Sequence, residues 1–124
     1  MKTFTRKHFM GIATTAVIAF MPAAAFAHGK LESAVPASGA TVDAAPDTLR
    51  LTFDEDLESA FSAVKVTDAN GTAVSKEKAK VDAANPRVLT IAVPKLSPGS
   101  YSVQWAVMTH DSHKTKGAYG FRVK

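Results

Sequence analysis

Tyr101-Ser102-Val103-Gln104-Trp105-Ala106-Val107 puts a large apolar side chain at every second position, with Ser102, Gln104 and Ala106 between them. Successive side chains of a strand point to opposite faces, so this stretch predicts a strand with Tyr101, Val103, Trp105 and Val107 turned to a core. The same period of two runs through Leu49, Leu51 and Phe53, through Val64 and Val66, through Leu89, Ile91 and Val93, and through Tyr119, Phe121 and Val123. Turn residues punctuate the runs at Pro36-Ala37-Ser38-Gly39, Pro46-Asp47, Asp68-Ala69-Asn70-Gly71, Asn85-Pro86 and Pro98-Gly99. Asn70-Gly71 is the strongest hairpin signal among them. With short strands at residues 31–35 and at Ala73-Val74, the count reaches about seven, which predicts an all-β sandwich of two sheets over one core. Residues 75–84 are rich in charge and read as a solvated loop in preference to a helical turn.

The start of the chain follows a different rule. Lys2, Arg6 and Lys7 precede an apolar run over residues 9–20, and Ala25-Phe26-Ala27 supplies small residues at the −3 and −1 positions of a cleavage site. That is the pattern of a secretory signal peptide over residues 1–27, cut after Ala27 to leave a domain of residues 28–124. An apolar run of about 12 residues is short of the roughly 20 that span a bilayer, so no stable membrane insertion is expected after processing. The 124 residues carry 15 Lys and Arg against 11 Asp and Glu, a formal charge of +4. Residues 28–124 keep 12 against 11, a charge of +1, with no basic patch and no interleaved aromatics. Nucleic-acid binding therefore has no electrostatic support. The absence of Cys excludes disulfides, thiolate metal sites and cysteine nucleophiles.

Cleavage after Ala27 would free an α-amine on His28, next to its own imidazole. The amine and the ring Nδ1 can then close a six-membered chelate on one metal ion, and an amine of pKa near 7.7 to 8.0 yields its proton to a strong metal at neutral pH. Without that cut, the nitrogen of His28 is an amide. Thr109-His110-Asp111-Ser112-His113 follows the Trp105 strand directly. If its backbone stays extended, Asp111 and His113 share one side and His110 faces the other. His28, His113 and Asp111 together offer three nitrogens and one oxygen, a set that suits tetragonal Cu(II) better than tetrahedral Zn(II).

Other constellations are weaker. The run Asp54-Glu55-Asp56-Leu57-Glu58 lacks the spacing of a calcium loop and reads as a solvated turn, although Glu55 is a candidate acceptor that would orient the terminal amine. Ser112 stands between Asp111 and His113, where strand neighbours face opposite ways, so no Ser-His-Asp triad is expected. There is no Gly-rich phosphate loop. Met108 reads as packing, since one thioether cannot build a Cu(I) site.

In order along the chain, His28 after an Ala-x-Ala site, Val35-Pro36-Ala37-Ser38-Gly39, Leu51-Thr52-Phe53-Asp54-Glu55, Tyr101-Ser102-Val103-Gln104-Trp105, Asp111-Ser112-His113 and Gly117-Ala118-Tyr119-Gly120-Phe121 resemble the CopC family of periplasmic copper-binding proteins. The resemblance spans essentially all of residues 28–124. It implies a seven-stranded Greek-key β-sandwich, cupredoxin-like or immunoglobulin-like. It also implies a Cu(II) site that falls on His28, Asp111 and His113, with Glu55 near the amine. Some members carry a Met-rich Cu(I) loop; here residues 67–80 contain no Met, so that site is not expected. The implied activity is periplasmic sequestration or delivery of copper in homeostasis or resistance, without enzymatic turnover. An inner-membrane copper transporter is a candidate partner. Two alternatives stay open at this point: a histidine-brace copper mono-oxygenase and a metal-free β-sandwich interaction module. The role of His110 is open as well.

Overall fold

The computed structural model describes residues 29–124. The signal peptide expected over residues 1–27 and the ligand expected at His28 lie outside the described residues. Eight strands form: β1 Leu31–Val35, β2 Thr41–Val42, β3 Thr48–Phe53, β4 Ala63–Asp68, β5 Lys80–Val81, β6 Val88–Ala92, β7 Gly99–Met108 and β8 Lys114–Val123. They make two four-stranded sheets, ordered β1-β3-β6-β5 and β2-β8-β7-β4. Only β5–β6 and β7–β8 are consecutive in the chain and adjacent in a sheet; every other connection crosses between sheets. No helix among the described residues is long and apolar enough to cross a membrane.

The alternation seen in the sequence becomes the inner faces of the two sheets. Leu49, Leu51 and Phe53 of β3 and Leu89 and Ile91 of β6 meet Tyr101, Val103 and Val107 of β7 and Tyr119, Phe121 and Val123 of β8. Edge-to-face contact between Phe53 and Trp105, with centroids 5.1 Å apart, ties one sheet to the other at the end where β7 runs out.

The strand count departs from seven, because β2 and β5 are two-residue strands. Two residues cannot display a period of two. Each exists through its partner, β2 lying parallel to β8 and β5 antiparallel to β6. Conversely, Ala73 makes only an isolated bridge to Thr67 instead of a strand. The Asn70-Gly71 turn forms as a five-residue loop: Gly71 N–H donates to the Asp68 carbonyl at 3.0 Å, Asp68 N–H donates to the Thr72 carbonyl at 2.9 Å, and Gly71 takes φ +79°.

Tyr119 gives the core one testable irregularity. Its side chain is 8% exposed, and its hydroxyl has no hydrogen-bond partner among the described residues. Burial pushes the phenol up to about 12 from an ordinary 10. The folded chain thus holds this proton more tightly than the unfolded chain does, so stability is intact below pH 10 and falls as pH rises from 10 through about 12. Tyr119→Phe should gain about 1 kcal/mol at neutral pH by removing an unpaired buried hydroxyl. In urea unfolding across pH 7 to 11, its advantage should widen above pH 10; a Phe variant less stable than wild type would refute this.

Candidate metal centre

At the end of the sandwich where β7 passes to β8, the chain turns through Thr109-His110-Asp111-Ser112-His113. Ser112 N–H donates to the Thr109 carbonyl and Thr109 N–H to the His113 carbonyl, both at 2.9 Å. This repeats the bond pattern of the Asp68–Thr72 loop, with Ser112 at φ +67° in the place of Gly71. The backbone is therefore not extended here, so the condition for an i, i+2 pairing on one strand face is not met. A left-handed residue lies between Asp111 and His113, and it is the turn, not strand parity, that brings their side chains together. His113 Nδ1 lies 3.0 Å from Asp111 Oδ2, with the two side chains 57% and 49% exposed.

The other carboxylate oxygen is also engaged, because Thr109 Oγ1 donates to Asp111 Oδ1. This hydroxyl, followed by hydrogen bonding and charge from His113, outweighs a desolvation effect and holds the Asp111 carboxyl below its ordinary value. Asp111 thus stays an anion, with one oxygen on Thr109 and the other toward His113.

Gly29 reaches the same place from the opposite end of the chain. Its N–H and that of Lys30 donate to Asp54 Oδ1 at 2.9 and 2.8 Å, and its carbonyl accepts from Thr115 Oγ1 at 2.8 Å. Gly29 has φ +89°, and a Cβ there would stand 3.0 Å from both Thr109 Cγ2 and Thr115 Oγ1. Only glycine meets both conditions. The first described residue is therefore fixed against the two threonines that flank the Asp111–His113 turn.

The acidic run is more than a solvated turn. Asp54 holds the N-terminal segment, Leu57 is buried and bridges to Thr109, and the Asp56 carbonyl accepts from His110 N–H at 3.1 Å. Glu55, half-buried, lies next to Asp54 in the same run. His110 turns to Glu58, Nδ1 to Oε1 3.5 Å, whereas His113 turns to Asp111. Asp54, Thr109 and Thr115 are the residues that sequence reasoning missed. The one available signal was an Asp at a strand end, a type that readily accepts from neighbouring backbone N–H groups. Among the described residues no three His, Asp or Glu side chains gather as metal ligands. The set derived from the sequence joins two described residues to His28.

Residues 31–124 match the family model of the CopC domain. Protein YobA of Escherichia coli is 34% identical over 119 residues, which covers 95% of this chain and 94% of the relative. Copper resistance protein C of Xanthomonas campestris pv. juglandis is 36% identical over 125 residues, covering 94% of this chain and 98% of the relative. The crystal structure of CopC from Methylosinus trichosporium superposes with a TM-score of 0.74 at 37% identity, over 78% of this chain and 94% of that one.

Proposed function

The chain belongs to the CopC family, and from that premise we propose that it binds Cu(II) in the periplasm and sequesters or delivers it by equilibrium binding. It is a copper-binding protein of the resistance type, not an enzyme. The observation that supports a metal site on this turn is the pairing of two ligand-type side chains, His113 Nδ1 standing 3.0 Å from Asp111 Oδ2. Two neighbouring ligands on an ion with bonds near 2 Å lie about 3 Å apart, so this pair has the spacing of one coordination edge.

His28 supplies the rest. It is joined to Gly29 by one peptide bond, so its Cα lies about 3.8 Å from that of a residue seated on Thr109 and Thr115. Export and cleavage after Ala27 give it a free amine. Amine and imidazole of His28, imidazole of His113 and carboxylate of Asp111 then make a three-nitrogen, one-oxygen set, which favours Cu(II) among divalent first-row ions. Glu55, next to Asp54 in the chain, accepts from the amine in this reading. Exposure of Asp111 and His113 supports direct exchange with a partner, for which an inner-membrane copper transporter is our candidate.

Competition titration of the exported protein tests the assignment. His28→Ala should weaken Cu(II) binding by at least about 100-fold, because it breaks the chelate. His110→Ala should leave binding essentially unchanged, since His110 stands on Glu58. Equal affinity of the two variants would show the ligand set to be wrong.

A further inference from the structure

Thr109 is the junction on which the centre is assembled. It is 0% exposed, yet it carries a hydroxyl, and each part of it has a separate task. Its backbone N–H and carbonyl close the turn through His113 and Ser112. Its Oγ1 donates to Asp111 Oδ1. Its Cγ2 fills the space beside Gly29 where a Cβ would stand. Its bridge to Leu57 ties in the acidic segment that holds Gly29 through Asp54.

We infer that Thr109 is the positioning residue of the copper centre: its hydroxyl aims the Asp111 carboxylate and its methyl seats the segment that carries His28. The inference rests on the Cu(II) reading given above. A carboxylate on an exposed turn rotates freely about its side-chain bonds unless one oxygen is held. Holding Oδ1 from a fully buried hydroxyl fixes the plane and leaves Oδ2 toward His113. Groups that orient a ligand without touching the metal alter affinity by about 10- to 100-fold when removed.

The two functions separate by substitution. Thr109→Val keeps the branched shape against Gly29 and deletes the hydroxyl; Thr109→Ser keeps the hydroxyl and deletes the methyl. Both would be made in the full chain, exported and purified after processing. Measurements would be the Cu(II) electron paramagnetic resonance spectrum, competition titration and thermal unfolding of the metal-free protein. Thr109→Val should change the copper hyperfine splitting and weaken Cu(II) binding by about 10- to 100-fold. Thr109→Ser should retain the wild-type spectrum and lose affinity through a looser N-terminal segment. If Thr109→Val kept the wild-type spectrum and affinity, the role of its hydroxyl would be refuted while the ligand set stood. If both variants merely melted lower, with unchanged spectra, Thr109 would be structural only. A wild-type protein without a Cu(II) signal would overturn both this inference and the reading beneath it.

Discussion

A form of the protein that keeps all of residues 1–27 ahead of His28 should bind Cu(II) about 10²- to 10⁴-fold more weakly than the processed form, the factor that linking two binding groups in one molecule typically supplies. The cause is local. Acylation by the preceding chain turns the His28 amine into an amide, whose proton a metal displaces far less readily than that of an amine of pKa near 7.7 to 8.0, and the six-membered ring of neutral amine and imidazole can no longer close. The fold should not change. Gly29 keeps its bonds to Asp54 and Thr115 whichever residue precedes His28, so metal-free unfolding curves of the two forms should superimpose. The two forms should also differ in pH dependence. In the processed form, protons compete for an amine of pKa near 7.7 to 8.0, and affinity falls as pH drops through that range. The extended form lacks this group and should lack this part of the slope. Paired titrations at pH 6.5, 7.5 and 8.5 decide the matter, and equal affinities at all three would remove His28 from the centre.

How much of this could be read from the chain depends on the range of the interaction. Leu49, Leu51 and Phe53, or Tyr101, Val103 and Val107, declare their inward face through their own alternation, and all six are buried. Thr41-Val42 and Lys80-Val81 carry no such pattern, because their strand character comes from β8 and β6. At the candidate metal centre the contrast is sharper. Asp111 and His113 stand out as ligand types at close spacing, but spacing alone does not tell an extended strand from a turn. The real turn depends on a non-glycine residue at φ +67°, which nothing in Asp111-Ser112-His113 announces. The hold on Gly29 was further out of reach, since Asp54 grips it across 25 residues and Thr115 grips it across 86. Hydrogen bonds between such distant positions leave no periodicity to find.

The indole of Trp105 makes the β7–β8 hairpin vulnerable at a residue that looks innocuous in the sequence. Trp105 pairs with Gly117 across the two strands, and a Cβ on Gly117 would fall 2.5 Å from Trp105 Cζ2 and 2.8 Å from Cε2. Both are closer than real carbon atoms approach, so the ring must move. The ring is half-buried and packs edge-to-face on Phe53, a fully buried residue of the opposite sheet, so moving it disturbs that contact. Gly117→Ala should therefore cost about 2 kcal/mol, from the shift that so short a contact forces on the ring together with a weakened aromatic pair. Against this stands a gain of about 0.5 to 1 kcal/mol from restricting the unfolded chain, which is too small to reverse the sign. Gly117→Val should cost more, despite the preference of strands for Val, because its two methyl groups enter the same space. For a domain of this size 1 kcal/mol corresponds to about 4 to 8 °C in Tm. Trp105 fluorescence should shift in both variants as the ring leaves its seat. The double variant Gly117→Ala with Trp105→Phe should recover part of the loss, since a smaller ring vacates the space; if the two substitutions merely added, the indole would not rest on Gly117. The cost also reaches the candidate metal centre, because Gly117 lies three pairs along the same ladder from Met108 and Lys114, the pair that opens into the Asp111–His113 turn. Displacing the ladder at Trp105 should loosen that turn, so Gly117→Val should lose Cu(II) affinity even at temperatures where it remains folded.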